Sequence, residues 1–418
     1  MNTKNFYIIK INLKNMKSKT ITIKDEIDTF QFKPLSSQEL TEILDLTIKK
    51  DNENKLITFL CLLSAYTESS QLNISFNAPS STGKSYIPTE VAKLFPEEDV
   101  IEVGYCSPTA FFHDIGEYDK ERNGYILDLS RKILIFLDQP HMLLLQHLRP
   151  LLSHDKKEIR IKIADKSQKG GIRTKNIFLK GFPSVIFCTA GLKIDEQETT
   201  RFLLLSPETD KEKIWQAIHQ KIRKESDYDE YELLLEENPE RKILKERIKA
   251  IKLENIKDIK IDSPEKLEEN FLKKDKILKP RHQRDIGRII SLVKAFALLN
   301  LWFRNRRGAT IIATQEDIED ALRVWNAIYE SQEHNLPPYI YQVFQKVILP
   351  AWEENNKGLA RLDVTRKYLQ VYGRVLEDWV LRQQIIPMLE NSGLIIQEAD
   401  PNDRRKILIF PTPSNIKK

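Results

Sequence analysis

The sequence predicts an α/β protein built around a doubly wound parallel sheet, followed by a smaller helical domain. Between residues 70 and 205, short apolar runs alternate with helical patterns, as is typical of a parallel sheet with helices on both faces. The first of these runs leads into a glycine-containing loop of the phosphate-binding type. Beyond residue 336 the pattern changes to three helices and a hairpin, which indicates a separate domain.

Length and composition set the broad class. The chain has 418 residues, room for two or three domains, and its net charge of +5 is too small to indicate nucleic acid by itself. No apolar run approaches the ~18–20 residues of a membrane span, and the N-terminus lacks a signal-peptide pattern. Cys61, Cys106 and Cys188 lie in apolar runs without metal-ligand spacing. We therefore expect a cytoplasmic protein with reduced cysteines, no zinc site and no membrane partner.

The phosphate loop, residues 78–85, follows the pattern G-x-x-x-x-G-K-[ST] except at its first position, where Ala78 replaces glycine. Backbone N–H groups of such a loop and of the helix after it face an anion. Lys84 is placed to reach the β- and γ-phosphates, and the Ser85 hydroxyl is placed to hold Mg²⁺. The alternative is a chance G-K-S in a loop. The predicted nucleotide contacts are Ala78, Pro79, Ser80, Ser81, Thr82, Gly83, Lys84, Ser85 and Tyr86.

A second apolar run, residues 132–138, ends in Asp138. A carboxylate at the C-terminal edge of a strand beside a phosphate loop can hold Mg²⁺ through water. The alternative is a buried strand with an ordinary terminal aspartate. The next residue is Gln139, where ATPases of this build usually carry glutamate. Glutamine cannot act as a base but can orient water, so we expect hydrolysis that is slow.

Residues 151–180 concentrate positive charge, with nine Lys or Arg residues against three acidic ones. The segment is predicted to form a strand, a turn at Gly170-Gly171 and a second strand. A solvated surface hairpin would carry the same charges. A basic hairpin is nevertheless well suited to contact phosphates, and nucleic-acid contact is the favoured interpretation. Its predicted contacts are Lys166, Lys169, Arg173 and Lys175.

The sequence divides into five parts. They are residues 1–35 as a small β arm, 36–206 as the α/β core, 207–279 as an exposed Lys/Glu-rich helical insertion or linker, 280–335 as a helical lid, and 336–418 as a winged helix. Ser36–Glu39 and Thr314–Asp317 have the spacing of helix capping boxes. Arg382 on the recognition helix, and Arg404 and Arg405 on the wing, are candidate DNA contacts. Winged helices also bind proteins, so DNA binding here is only slightly favoured.

With these elements in order, the chain resembles the minichromosome maintenance (MCM) group of AAA+ ATPases over residues 50–410. The basic hairpin precedes a strand ending at Thr189, which is similar to the sensor-1 strand, although the family asparagine aligns with Ala190. Thr200-Arg201-Phe202 is similar to the S-R-F stretch of the family's arginine finger. Arg284, ahead of the Ala-Phe-Ala stretch at 295–297, is similar to its sensor-2 arginine.

The resemblance implies ATP and Mg²⁺ as cofactors and a hexameric ring, with Arg201 completing a neighbour's site. It implies an ATP-dependent DNA translocase or helicase that holds DNA in a central pore. Such a protein would act in the replication of a plasmid, phage or other mobile element. The alternative is a slowly hydrolysing ATP-binding switch that oligomerises on DNA and recruits partners, which Gln139 favours. A remodeller of protein substrates is disfavoured, since the hairpin is basic rather than aromatic.

Overall fold

The computed structural model describes residues 27–108, 110–112, 116–165, 173–190, 200–273, 278–355, 357–401 and 403–412. Within these ranges the strands are β1 Asn73–Asn77, β2 Val100–Val103, β3 Glu117–Asp119, β4 Gly124–Asp128, β5 Ile133–Phe136, β6 Glu158–Asp165, β7 Arg173–Lys180, β8 Ser184–Thr189, β9 Leu203–Leu205, β10 Asp258–Ile261, β11 Arg306–Arg307, β12 Thr310–Ala313, β13 Ile395–Ala399 and β14 Ile407–Pro411.

The α-helices in the same ranges are α1 Ser37–Leu44, α2 Asn52–Ser64, α3 Tyr86–Ala92, α4 Met142–Leu152, α5 Lys211–Ser226, α6 Tyr228–Glu237, α7 Pro239–Glu254, α8 Pro264–Leu272, α9 His282–Leu299, α10 Gln315–Glu333, α11 Pro338–Val343, α12 Leu349–Asn355, α13 Arg361–Tyr372, α14 Asp378–Val380 and α15 Ile386–Asn391. A π-helical turn joins α11 to α12 at Phe344–Ile348, and another joins α14 to α15 at Leu381–Ile385. No helix in the described ranges combines the length and the apolar character that crossing a membrane requires.

The central sheet has five strands in the order β2-β5-β8-β1-β9, and every neighbouring pair is parallel. Successive residues of a strand point to opposite faces, so both faces need cover. Ile133 and Ile135 of β5 pack against the helices of one face, while Leu134 and Phe136 pack against the other. The predicted α/β class with a doubly wound parallel sheet is confirmed.

A second sheet lies beside α4 in the order β3-β4-β7-β6. Its long pair, β6 and β7, is antiparallel as the sequence predicted. The polar stretch 116–124 supplies β3 and the start of β4. The Tyr118 and Tyr125 rings pack edge-on at 5.1 Å across this pair, and the missing Cβ of Gly124 leaves room for Phe178, which a Cβ would approach to 2.8 Å. The tip of the β6–β7 hairpin, residues 166–172, lies outside the described residues.

Residues 207–279 differ from the uniformly exposed insertion that their composition indicated. Helices α5 and α6 are largely exposed, with the Trp215 side chain 67% exposed. Helix α7 instead buries Leu244, Ile248 and Ile251 in the main core, and β10 pairs with β12. The apolar residues of α7 are widely spaced among lysines and glutamates, which is why composition alone hid the buried face.

The segment predicted as a helical lid, residues 280–335, contains the long helices α9 and α10. Both predicted capping boxes are formed: the Ser36 hydroxyl accepts a hydrogen bond from the Glu39 N–H, and Asp317 closes the reciprocal bond at Thr314. The last domain has its own core under α11–α15 and the β13–β14 hairpin. The helices and the hairpin predicted for residues 336–418 are therefore present and pack on one core, while their assignment as a winged helix stays a prediction.

Candidate active site

The phosphate loop leaves the C-terminal edge of β1, in the middle of the parallel sheet. Its first residue, Ala78, donates its N–H to the Thr189 carbonyl at 3.3 Å. Left-handed backbone conformations occur at Gly83, with φ +89°, and at Ser81, with φ +65°. Ala78 has no such conformation, so the replacement of the usual glycine carries no backbone strain.

The lysine and serine of the loop lie before helix α3 and not within it. Helix α3 begins at Tyr86, and Ser85 is its N-cap residue without a capping hydrogen bond from its side chain. The Tyr86 hydroxyl donates to the Thr47 carbonyl at 2.8 Å, which ties the start of the helix to the end of the α1 region. Lys84 and Ser85 are half-buried at this edge.

The structure brings the predicted acid, the amide and the sensor residue to the same edge. Asp138 lies two residues beyond β5, and its carboxylate accepts the Gln139 N–H at 2.8 Å. The Thr189 hydroxyl, at the end of β8, donates to Gln139 Oε1 at 3.0 Å. These contacts place Asp138, Gln139 and Thr189 at the carboxyl ends of adjacent parallel strands, where ligands of such sheets bind.

Lys84 and Asp138 both act electrostatically on the buried thiol of Cys188. Its thiol donates to the Lys84 carbonyl at 3.2 Å. Burial raises the pKa of Cys188 to about 12, Lys84 opposes this shift and Asp138 adds to it. Both charges therefore act on one buried sulfur, at the end of β8. The cysteine itself is inert at neutral pH.

Arg201 and Arg284 lie together, but at the opposite edge of the sheet. They line a cleft of about 480 Å³ with Asn73 and Leu203, which begin β1 and β9. We call this the arginine cleft. Arg201 Nε donates to the Ser153 hydroxyl at 2.7 Å, and Arg284 bonds to the Thr200 hydroxyl.

The two edges are too far apart to share a ligand within one chain. Leu203 pairs with Ile74, so Arg201 lies beyond the N-terminal end of β1. The phosphate loop begins beyond the C-terminal end of the same strand. The five residues of β1, at ~3.3 Å each, separate the two edges by roughly 16 Å. An arginine side chain cannot cover that distance.

His154 also lines the arginine cleft but adds no charge at neutral pH. Burial lowers the pKa of His154 to about 4, although the neighbouring Asp155 acts in the opposite direction. Its Nε2 lies 3.1 Å from Gln71 Oε1, and its ring packs edge-on against Phe182. The positive charge of the cleft therefore comes from its arginines and Lys294.

Of the candidate nucleic-acid residues, Lys175 is described on β7, with its ammonium 3.4 Å from the centre of the Tyr125 ring. Lys166 and Lys169 lie outside the described residues, and of Arg173 only the backbone is described. Arg382, Arg404 and Arg405 are exposed on the predicted winged helix, the last two in the turn between β13 and β14.

Sequence reasoning missed an aromatic group on the outer face of the second sheet. The Phe178 ring lies between the Arg122 and Arg160 guanidinium groups, whose carbons are 5.6 and 5.9 Å from its centre. The signal was available, since Arg160 and Phe178 fall opposite each other once the hairpin is drawn. Arg122 is also bound by Glu158 at 2.9 and 3.0 Å, which reduces its availability to an anion.

One group of three metal-ligating side chains occurs among the described residues: His282, Asp285 and Glu333. Each of its carboxylates already has a cationic partner. Asp285 forms ion pairs with Arg281 and Arg288, each within 3.0 Å, and Glu333 forms an ion pair with Lys279 and contacts His282 Nε2 at 2.9 Å. The group is a buried ion-pair network of the lid.

Comparisons with known proteins give a similarity in structure but no match in sequence. No family model and no curated protein matches the chain. Among solved structures, a full-length MCM homolog from Methanopyrus kandleri matches with a TM-score of 0.41 and 15% identity. The match covers 70% of this chain and 61% of that one, so this chain spans less than two thirds of its length. At that identity and TM-score the likeness says nothing about activity.

Proposed function

We propose that the chain is an ATPase that assembles into a ring and uses ATP to move along DNA or to unwind it. One observation carries the proposal: the phosphate loop with its acid lies at one edge of the sheet, while two arginines lie at the other. A site built from both halves is complete only between two copies of the chain. This is the logic of an arginine finger supplied in trans.

Each residue has a role in the proposed reaction. Backbone N–H groups of the phosphate loop and the Lys84 ammonium hold the β- and γ-phosphates. Ser85 and Asp138 supply the oxygen atoms that suit Mg²⁺, which when bound neutralises the phosphate charge. Gln139 and Thr189 orient the attacking water. Arg201 and Arg284 of the next copy stabilise the charge that develops on the transferred phosphoryl group.

The proposed DNA contact is the β6–β7 hairpin, with Lys166, Lys169, Arg173 and Lys175 facing the backbone of a strand in the pore of a hexamer. Such contacts depend on phosphate charge and carry no base specificity. Arg382, Arg404 and Arg405 are proposed as a second DNA contact on the winged helix. A cytoplasmic location and the replication of a mobile element stay predictions from the sequence.

Steady-state ATP hydrolysis, measured with and without single-stranded DNA, tests the proposal. We expect DNA to stimulate turnover, and we expect Lys84→Ala and Arg201→Ala each to reduce it by at least about 10³-fold. Lys93→Ala is the matched control, because Lys93 follows the same helix α3 but pairs with Glu90. A Lys84→Ala protein that hydrolyses ATP like wild type would refute the site.

A second candidate, the slowly hydrolysing switch, is favoured by the Gln139–Thr189 contact. Because the Thr189 hydroxyl donates to Gln139 Oε1, that oxygen is engaged, and the group left for a water is the amide NH₂, which donates hydrogen bonds. Such a group can position a water but cannot take its proton.

Replacement of the amide by a carboxylate separates the two candidates. If the wild-type protein is a switch, Gln139→Glu should raise a near-zero turnover by about 10²-fold or more, because a general base is restored. ATP affinity should stay within about threefold, since Gln139 adjoins the water rather than the base or sugar. If wild type already turns over rapidly with DNA and Gln139→Glu adds nothing, the motor is favoured.

A further inference from the structure

Arg288, on the lid helix α9, holds the backbone on both sides of Arg201. Its Nη2 donates to the Thr200 carbonyl at 2.8 Å and to the Phe202 carbonyl at 2.9 Å. These two carbonyls bracket the one residue between them. A planar guanidinium is suited to this task, because one of its NH₂ groups can donate to both carbonyls while the other faces a carboxylate.

The other side of the same guanidinium is fixed by a carboxylate. Arg288 Nη1 donates to Asp285 Oδ1 at 2.9 Å, and Arg281 Nε donates to Asp285 Oδ2 at 3.0 Å. The side chains of Arg288 and Asp285 are only 10% and 4% exposed. Burial lowers the pKa of Arg288 to about 10, so it stays charged at neutral pH.

A second lid side chain holds the strand that follows. Gln332, near the end of α10, is buried and pairs with both backbone groups of Leu204. Its Oε1 accepts the Leu204 N–H at 3.2 Å, and its Nε2 donates to the Leu204 carbonyl at 2.8 Å. The segment from Thr200 to Leu204 is therefore held by two lid helices.

We propose that Arg288 is a positioning residue for Arg201, which fixes the finger to the lid so that the two move together. The inference rests on the proposed function, because a finger needs positioning only if it completes a neighbour's site. Arg288 does not touch the nucleotide of its own chain, since it lies at the arginine cleft. Its effect on hydrolysis is then exerted in trans, through Arg201.

Paired variants separate positioning from general stability. Arg288→Gln loses one of the two carbonyl bonds at least, and Arg288→Lys keeps the charge beside Asp285 but loses the planar guanidinium. Arg281→Gln is the matched control, because Arg281 binds the same carboxylate from the same lid segment without contacting residues 200–204 in any described bond. We expect both Arg288 variants to lower kcat about 10- to 100-fold, since a small misplacement of a catalytic group costs that much. KM for ATP and the kcat of Arg281→Gln should stay within about threefold of wild type.

Mixed assemblies then test the trans effect. An Arg288→Gln copy keeps an intact phosphate loop, and a Lys84→Ala copy keeps an intact finger with its own Arg288. Mixing the impaired Arg288→Gln protein with the inactive Lys84→Ala protein should raise turnover at the interfaces where the loop of the first meets the finger of the second. Arg201→Ala mixed with Lys84→Ala is the positive control and should recover in the same way.

The outcomes are distinct. Recovery in both mixtures supports the proposal. Recovery with Arg201→Ala but not with Arg288→Gln overturns it and leaves the proposed function standing. Failure of the Arg201→Ala mixture refutes the shared site, and the positioning role with it. Two further outcomes assign Arg288 a structural role and also overturn the proposal. In the first, both Arg288 variants fail to fold while Arg281→Gln folds. In the second, Arg281→Gln loses as much kcat as the Arg288 variants do.

Discussion

His154 is a histidine that the fold keeps neutral. The imidazole is buried against Phe182, and burial opposes a proton on it more strongly than the neighbouring Asp155 favours one. The unfolded chain has no such constraint, and its histidine titrates near the ordinary value of 6.5. The folded protein thus excludes a proton that the unfolded chain binds.

This difference predicts that the protein loses stability in mild acid. Between pH 6.5 and 4 the unfolded state binds the extra proton, so the free energy of unfolding should fall as the pH is lowered through this window. A shift from 6.5 to about 4 corresponds to about 3 kcal/mol when complete. Denaturant unfolding at a series of pH values measures it.

His154→Asn is the control variant, because asparagine tolerates the left-handed backbone that His154 adopts, with φ +56°. The variant loses the ring contact with Phe182 and will be less stable overall. Its free energy of unfolding should nevertheless depend less on pH than that of wild type between 6.5 and 4. Parallel curves for the two proteins would contradict the assignment.

At the level of residues, the sequence pointed to those that belong to a contiguous motif or resemble a family motif. Lys84, Ser85 and Asp138 could be found because a phosphate loop and a strand ending in an acid have fixed local patterns. Arg288 could not, since it occurs within an apolar helix and acts on a segment more than 80 residues away. The one indication in the sequence was that Arg288 follows Arg284 by four positions, which places both on the same side of a helix.

Among the elements, the β6–β7 hairpin carries the proposed contact with DNA. Replacing Lys166, Lys169 and Arg173 by alanine should weaken binding of single-stranded DNA. Because each lost phosphate contact lowers the salt slope by ~0.7, log K against log salt should flatten by up to about 2. Fluorescence anisotropy at several salt concentrations measures both quantities.

Three exposed lysines outside the hairpin provide a control of equal charge. Lys242, Lys249 and Lys260 lie on α7 and β10, and their replacement by alanine changes the net charge by the same amount. If this variant loses as much affinity as the hairpin variant, the effect is one of overall charge and the hairpin has no special role.

The elements that sequence patterns predicted well were those with one dominant signal. The strands of the central sheet are apolar on both faces, and the capping boxes fix the starts of α1 and α10. Strands β3 and β4 were missed because β3 is polar and only three residues long, and β4 is only five residues long. Strand β4 forms on the edge that β7 offers and β3 then pairs with β4, which is a property of the assembled sheet.

For the whole molecule, two half-sites on opposite edges predict assembly that depends on nucleotide. Lys84 of one copy and Arg201 of the next would both contact the negatively charged triphosphate. Such charge-assisted contacts strengthen the interface only while the nucleotide is bound. With a non-hydrolysable ATP analogue and Mg²⁺, mass photometry should show particles near six times the 48.9 kDa chain. Without nucleotide, or in Lys84→Ala and Arg201→Ala, smaller species should dominate, while Arg281→Gln should assemble like wild type. A particle of single-chain mass at saturating nucleotide would contradict both the ring and the shared site, because neither edge of the sheet could then complete the other.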